Sequence, residues 1–180
     1  MKLFIAPHND DEVLFGAYTL MREKPLVVMA TDSYIQFERG DGITAEQRRN
    51  ETRQAMEILG CKVMFMGLKD TEIDKESLSY WLPELIKLSP DKVYIPAIIE
   101  NGNEQHNLIG RVALDLWPDA IKYMTYSKTN LLKMGRIEIE PTPEEIELKN
   151  KALDCYVSQI NLPATRPHFD AVRGRSEWYA

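Results

Sequence analysis

The sequence predicts an α/β fold: a three-layer sandwich on a mostly parallel central sheet. Three observations carry that prediction. Short apolar runs rich in β-branched residues alternate repeatedly with helical periods along the chain. Leu26-Val27-Val28-Met29-Ala30 is apolar at every position, as a strand covered by helices on both faces must be. Cap residues and glycines stand where the periodic segments begin and end.

Lys2–Ala6 reads as the first strand. Asp11–Arg22 follows as a helix, with Val13, Leu14, Ala17, Tyr18 and Met21 on one helical period. Pro25 opens the second strand, Leu26–Ala30. Thr31–Gly42 is a polar, glycine-tipped loop, long for a connection of this kind and therefore a candidate for function. Thr44–Leu59 is the second helix, with Thr44 and Gln47 placed for a capping box and Gly60 as its stop. Lys62–Met66 is the third strand. Lys75–Leu88 is the third helix, interrupted by Pro83 and stopped before Pro90. Lys92–Ile95 is the fourth strand, and Glu104–Trp117 the fourth helix, capped by Asn103. Ala120–Thr125 is the fifth strand. Pro141–Gln159 reads as one long last helix with Thr142 as cap, Pro143 at its first position and acids in its first turn. Ile160–Ala180 reads as a mostly irregular tail. Right-handed crossovers place the strand ends on one edge of such a Rossmann-like sheet, where ligands bind.

A length of 180 residues favours one domain, residues 1–180. Charged residues make up 28% against 44% hydrophobic, the profile of a soluble globular chain. The formal net charge of -6, with no Lys or Arg block, excludes a generic surface for a nucleic acid polymer. A small anionic substrate held by one or two arginines remains open. Cys61 and Cys155 read as two buried thiols in a reducing compartment, not as a disulfide. The first strand begins at once, with no signal peptide and no apolar run of membrane-spanning length. A cytoplasmic location without a membrane partner is the expectation, and an oligomer is compatible with it. Trp81 and Trp117 read as core or inter-helix residues, and Trp178 as a pin for the tail.

Chemistry concentrates where the first strand ends, in Pro7-His8-Asn9-Asp10-Asp11-Glu12. His8 and Asp11 lie three apart, so a tight turn into a helix can aim both at one point. Zinc accepts imidazole nitrogen and carboxylate oxygen together, and another divalent metal stays open as the ion. Asp10 can then stay off the metal and take a proton from water. The same residues also read as a helix cap with acids favoured by the helix dipole. His106, after strand four, is the natural third ligand if strands one and four are neighbours across a switch point. A solvent-facing helix histidine is the competing reading. Arg48 can bind a polar substrate or pair with Glu51 on its own helix. Asp70 can bond a hydroxyl or cap a turn. Glu12 reads as support for the metal ligands more than as a contact to substrate, since acids so placed commonly orient a ligating imidazole.

Ala6-Pro7-His8-Asn9-Asp10-Asp11-Glu12 resembles the (A/P)HPDDE motif of the PIG-L/LmbE-like zinc N-deacetylases. Arg48-Arg49-Asn50-Glu51 with Ala55 and Leu59-Gly60, Gly67-Leu68-Lys69-Asp70, Asn103-Glu104-Gln105-His106, Lys151-Ala152-Leu153 with Ser158-Gln159, and Arg175–Tyr179 follow that family's order. The resemblance implies zinc held by His8, Asp11 and His106, with Asp10 as general base. It implies hydrolysis of an N-acetyl or other N-acyl group on an amino sugar or related small metabolite. Three departures stand out. Asn9 replaces a proline, at a position that need not touch metal. Asn103 replaces the first histidine of HxxH, which in the family assists the oxyanion or the leaving amine; Asn can donate a hydrogen bond but cannot deliver a proton. Residues 32–39 form a longer, more aromatic loop that can shape a different pocket. His168 either folds over the site and supplies the missing function or is a solvated tail residue. Two alternatives stay open: a zinc hydrolase acting on another bond in a modified nucleoside or small metabolite, and a metal-containing binding module without activity.

Overall fold

The computed structural model describes residues 1–32, 40 and 42–180. The expectation that the aromatic loop shapes a pocket falls on positions outside the described residues. Helices flank one sheet, whose strands are β1 (Lys2–Ala6), β2 (Leu26–Thr31), β3 (Lys62–Leu68), β4 (Lys92–Pro96), β5 (Ile121–Tyr123), β6 (Ile137–Ile139) and β7 (Glu177–Tyr179). Their spatial order is β3-β2-β1-β4-β5-β7-β6. The first five are parallel neighbours, and β7 and β6 close one edge antiparallel. The fold is α/β with a mixed, mostly parallel sheet, as the sequence predicts.

The central strands are apolar on both faces because both faces are covered. Phe4, Ala6, Val27 and Met29 pack under α1 (Asp11–Glu23), α2 (Ala45–Leu59) and α5 (Pro143–Leu153). Leu3, Ile5, Val28 and Ala30 alternate to the other side, under α3 (Lys75–Ile86) and α4 (Glu104–Leu116). Local signals set the helix ends. Thr44 Oγ1 accepts the Gln47 N–H at 3.1 Å, and Gly60 ends α2 at a φ of 67°. Thr142 and Glu145 form a full capping box on α5.

The structure corrects several boundaries. Pro83 does not interrupt α3; buried Leu78, Leu82 and Leu85 hold the helix through it. The long last helix is two, α5 and a short α6 (Val157–Ile160), because Tyr156 turns inward and is fully buried between them. The tail is not irregular. It contains α7 (Arg166–Val172) and β7, held by contacts distant in sequence that leave no local period. Trp81 is 43% exposed, so it is not an interface residue; Trp117 does pack on the core. Trp178 lies on β7 opposite Glu138. Both cysteines are free and half-buried. No helix among the described residues is long and apolar enough to cross a membrane.

Candidate metal centre

β1 and β4 lie side by side, so the loops that follow them face each other at the carboxyl edge of the sheet. The Pro7 carbonyl accepts the Thr31 N–H at 3.0 Å and its hydroxyl at 2.9 Å, which pins the start of the turn to β2. His8, Asn9 and Asp10 then turn the chain into α1. Asp10 sits at a φ of 150°, a state that L-residues rarely adopt. Its N–H is held by the His8 carbonyl at 3.0 Å and by Glu12 Oε2 at 2.9 Å.

This turn brings the predicted ligands together. His8 Nδ1 lies 3.0 Å from Asp11 Oδ2, His106 Nε2 lies 3.0 Å from the same oxygen, and the two nitrogens are 3.2 Å apart. Donors about 2.0–2.1 Å from a tetrahedral zinc are separated by roughly 3.3 Å, so this triangle has the size of one tetrahedral face. His8, Asp11 and His106 are a candidate metal site. Asp11 and His106 are almost fully buried and form its floor. Gln105 Oε1 lies 2.5 Å from His8 Nε2 and, as an acceptor, places a proton there, which turns the Nδ1 lone pair toward the centre. Gln105 is fixed in turn by donating to the Asp70 carbonyl. Burial opposes a charge on His8, but the Asp11 carboxylate overrules it and the imidazole is pushed up to about 9. Burial also works against the Asp11 charge, yet His106 and His8 hold that carboxyl well below the usual range. Burial pushes His106 down. Protons on such a triad are those a cation displaces on binding.

Asp10 stands beside the triangle, not in it. Burial raises its carboxyl to about 6 against the pull of Arg48, whose Nη2 lies 3.0 Å from Asp10 Oδ2. Arg48 is 1% exposed and also donates to the Asn9 carbonyl, with Glu51 Oε2 at 3.8 Å. The two sequence readings of Arg48 therefore both hold in part: it lines the cavity and it neighbours Glu51. Glu12 does not orient an imidazole, contrary to expectation. Its carboxylate points beneath the turn and accepts the Asp10 N–H and the Tyr156 hydroxyl, and burial raises it to about 8. Asn9 turns away to Thr52, as a residue without a metal contact should.

A cavity of about 250 Å³ opens over the triangle. His8, Asp10, Asp11, Arg48, Asp70, Asn103 and His168 all line it, and His106 lies under its floor. His168 is therefore not a solvated tail residue. Phe169, 1% exposed, anchors α7 in the core and leaves its neighbour facing the cavity, where burial lowers the imidazole. Asn103 caps α4, accepting from the Gln105 N–H at 2.8 Å. Leu14, Gln105, Tyr126, Gln159, Thr165 and Phe169 complete the lining, and none of them was singled out for the site in the sequence. Tyr126 had one usable signal: it comes just after the fifth strand, at the edge where strands end.

No curated protein matches the chain by sequence. Among solved structures, N,N'-diacetylchitobiose deacetylase from Pyrococcus horikoshii is 20% identical with a TM-score of 0.74, over 99% of this chain and 82% of that one. The zinc-inhibited form of teicoplanin deacetylase Orf2 is 16% identical with a TM-score of 0.73, over 88% and 84%. GalB, the 4-carboxy-2-hydroxymuconate hydratase of Pseudomonas putida, is 16% identical with a TM-score of 0.69, over 94% and 83%. At such identities the likeness establishes the fold alone. The stretch from Leu3 to Trp117, which is most of the chain and holds every residue of the metal triangle, matches the PIG-L family of GlcNAc-PI de-N-acetylases, and the chain belongs to that family.

Proposed function

We propose that this protein is a zinc-dependent amide hydrolase that removes an N-acetyl or similar N-acyl group from an amino sugar or related small metabolite. The observation that carries the reading is the triangle of His8, Asp11 and His106 with a buried, unligated carboxylate, Asp10, at its side. A purely structural site has little use for such a base. Family membership and two deacetylases among the structural neighbours support the same reading.

Zinc bound by His8, Asp11 and His106 would supply Lewis acidity and make water a nucleophile near neutral pH. Asp10 accepts the proton of the attacking water and returns it to the departing amine. Arg48 fixes the Asp10 carboxylate in one rotamer and keeps its charge balanced. Asp70 and His168 face the substrate from opposite elements, after β3 and from α7. Asn103 contributes from the start of α4. The cavity, about 250 Å³, has room for a sugar-sized group.

The test is acetate release by zinc-loaded protein from a panel of N-acetylated sugars and nucleosides. Asp10→Asn is expected to abolish turnover with zinc content unchanged; unchanged turnover rejects the assignment. One observation favours a second reading. Asn103 stands where the family has a histidine, and a hydratase shares this fold. Water addition to another bond of a small metabolite is that reading, and it gains if the panel releases no acetate while metal binding is intact.

A further inference from the structure

The side chain of Asn103 is spoken for at both ends. Its Oδ1 accepts the N–H groups of Gln105 at 2.8 Å and His106 at 3.4 Å, which starts α4. Its Nδ2 donates to the Tyr126 hydroxyl at 2.9 Å. The side chain thus bridges the start of α4 and Tyr126, with one Nδ2 proton left over. The Tyr126 oxygen already receives a proton, so its own O–H must point elsewhere, and among the described residues nothing accepts it. The ring stands edge-on to His106 at 5.2 Å and against His168 at 4.5 Å, on the wall of the cavity above the metal triangle. The hydroxyl therefore lines the cavity with its own proton uncommitted among the described residues.

We infer that Tyr126 is a catalytic residue whose phenol donates a hydrogen bond to the acyl oxygen as charge develops on it, and that Asn103 is its positioning residue. The inference rests on the hydrolase reading above. In that reaction the carbonyl oxygen gains negative charge as water adds to the carbon, and the charge returns to the carbonyl when the C–N bond breaks. A neutral phenol that donates without titrating stabilises that oxygen at both stages. The work that a histidine of HxxH does directly is thus done here by a tyrosine from the loop after β5, and the residue at position 103 aims it.

The experiment uses zinc-loaded wild type, Tyr126→Phe and Asn103→Asp. Asn103→Asp keeps a cap acceptor for α4 but turns the hydrogen bond around, since a carboxylate draws the phenol proton to itself. Acetate, whose carboxylate resembles the developing oxyanion, is titrated calorimetrically with zinc content measured on each sample. Both variants are expected to bind acetate at least fivefold more weakly with the zinc stoichiometry unchanged. On N-acetylglucosamine, or whichever panel member wild type cleaves, both are expected to lose about 100-fold in kcat with little change in KM. On the N-trifluoroacetyl analogue, whose oxyanion needs less help, the loss shrinks. Equal acetate affinity in wild type and Tyr126→Phe, or no acetate binding by wild type, overturns the assignment. Tyr126-dependent acetate binding without turnover of any panel member supports the donor and rejects the hydrolase reading instead.

Discussion

Lys149 and Glu177 form an ion pair in which both side chains are 1% exposed, with Nζ 2.9 Å from Oε1. The pair grips α1 in its middle. Glu177 accepts the Tyr18 N–H at 3.1 Å, and Lys149 donates to the Leu14 carbonyl at 3.1 Å, so the two charges take the two groups of one helical turn. The Lys149 ammonium also lies over the Tyr18 ring at 4.6 Å. Lys149→Met is predicted to leave a buried carboxylate without its cation and the Leu14 carbonyl without that donor. Breaking a buried pair from one side costs about 3–5 kcal/mol, a large share of the roughly 5–15 kcal/mol that holds a domain together. Adding Glu177→Gln removes the stranded charge yet keeps an oxygen for Tyr18. The double variant should therefore recover at least about 2 kcal/mol over simple addition. Urea unfolding at constant zinc, followed by circular dichroism, measures both values. A single-variant loss below about 1 kcal/mol, or strict additivity, would refute the account of the tail as clasped to α1 through charge.

The other predictions concern the metal, one close approach and one cap. His106→Ala should lower bound zinc from about one per chain to a small fraction by elemental analysis, with far-UV circular dichroism preserved. Zinc at a hundredfold its Kd should stabilise wild type by about 2.7 kcal/mol in thermal melts and leave His106→Ala unmoved. Gly110→Ala puts a Cβ 2.5 Å from the Pro96 carbonyl oxygen, so α4 must shift off β4 and carry His106 with it. Stability should fall by about 1–3 kcal/mol and zinc affinity with it, whereas a stability loss alone would mean that His106 does not follow the helix. Thr142→Ala removes half of the α5 capping box and should cost about 1 kcal/mol in urea unfolding.

What the sequence made readable follows the reach of each interaction. The triangle was legible because its parts are local: His8 and Asp11 share one turn, and parallel β1 and β4 lie side by side at a switch point that brings His106 to them. The inner strands β1, β2 and β4 were legible because burial on both faces leaves an unbroken apolar run. The tail was not. β7 is three residues long, pairs antiparallel with β5 and β6, and owes its place to Glu177 and to Tyr179, whose partners lie far back in α1. No periodicity in the last residues encodes those contacts. Glu12 was misread for a related reason: a carboxylate one residue past a ligand looks like support for the metal. Only the packing of Tyr156, 144 positions later, shows which way it points.

Asn103 joins both cases. Its place before Glu104 marks it as a cap from the sequence alone, and its Oδ1 does cap. Its second bond, to Tyr126 across a separation of 23 residues, is beyond any local pattern. The two bonds also explain why this residue type suits the position. Serine, threonine or aspartate would start α4 as well, but serine and threonine cannot give a carboxamide proton to the phenol, and aspartate would take the phenol's proton away. Histidine caps poorly. Among common caps only asparagine satisfies the helix with one atom and aims a donor at the cavity with the other. The departure at position 103 therefore does not require that the site has lost its oxyanion partner, since Asn103 leaves that role to Tyr126.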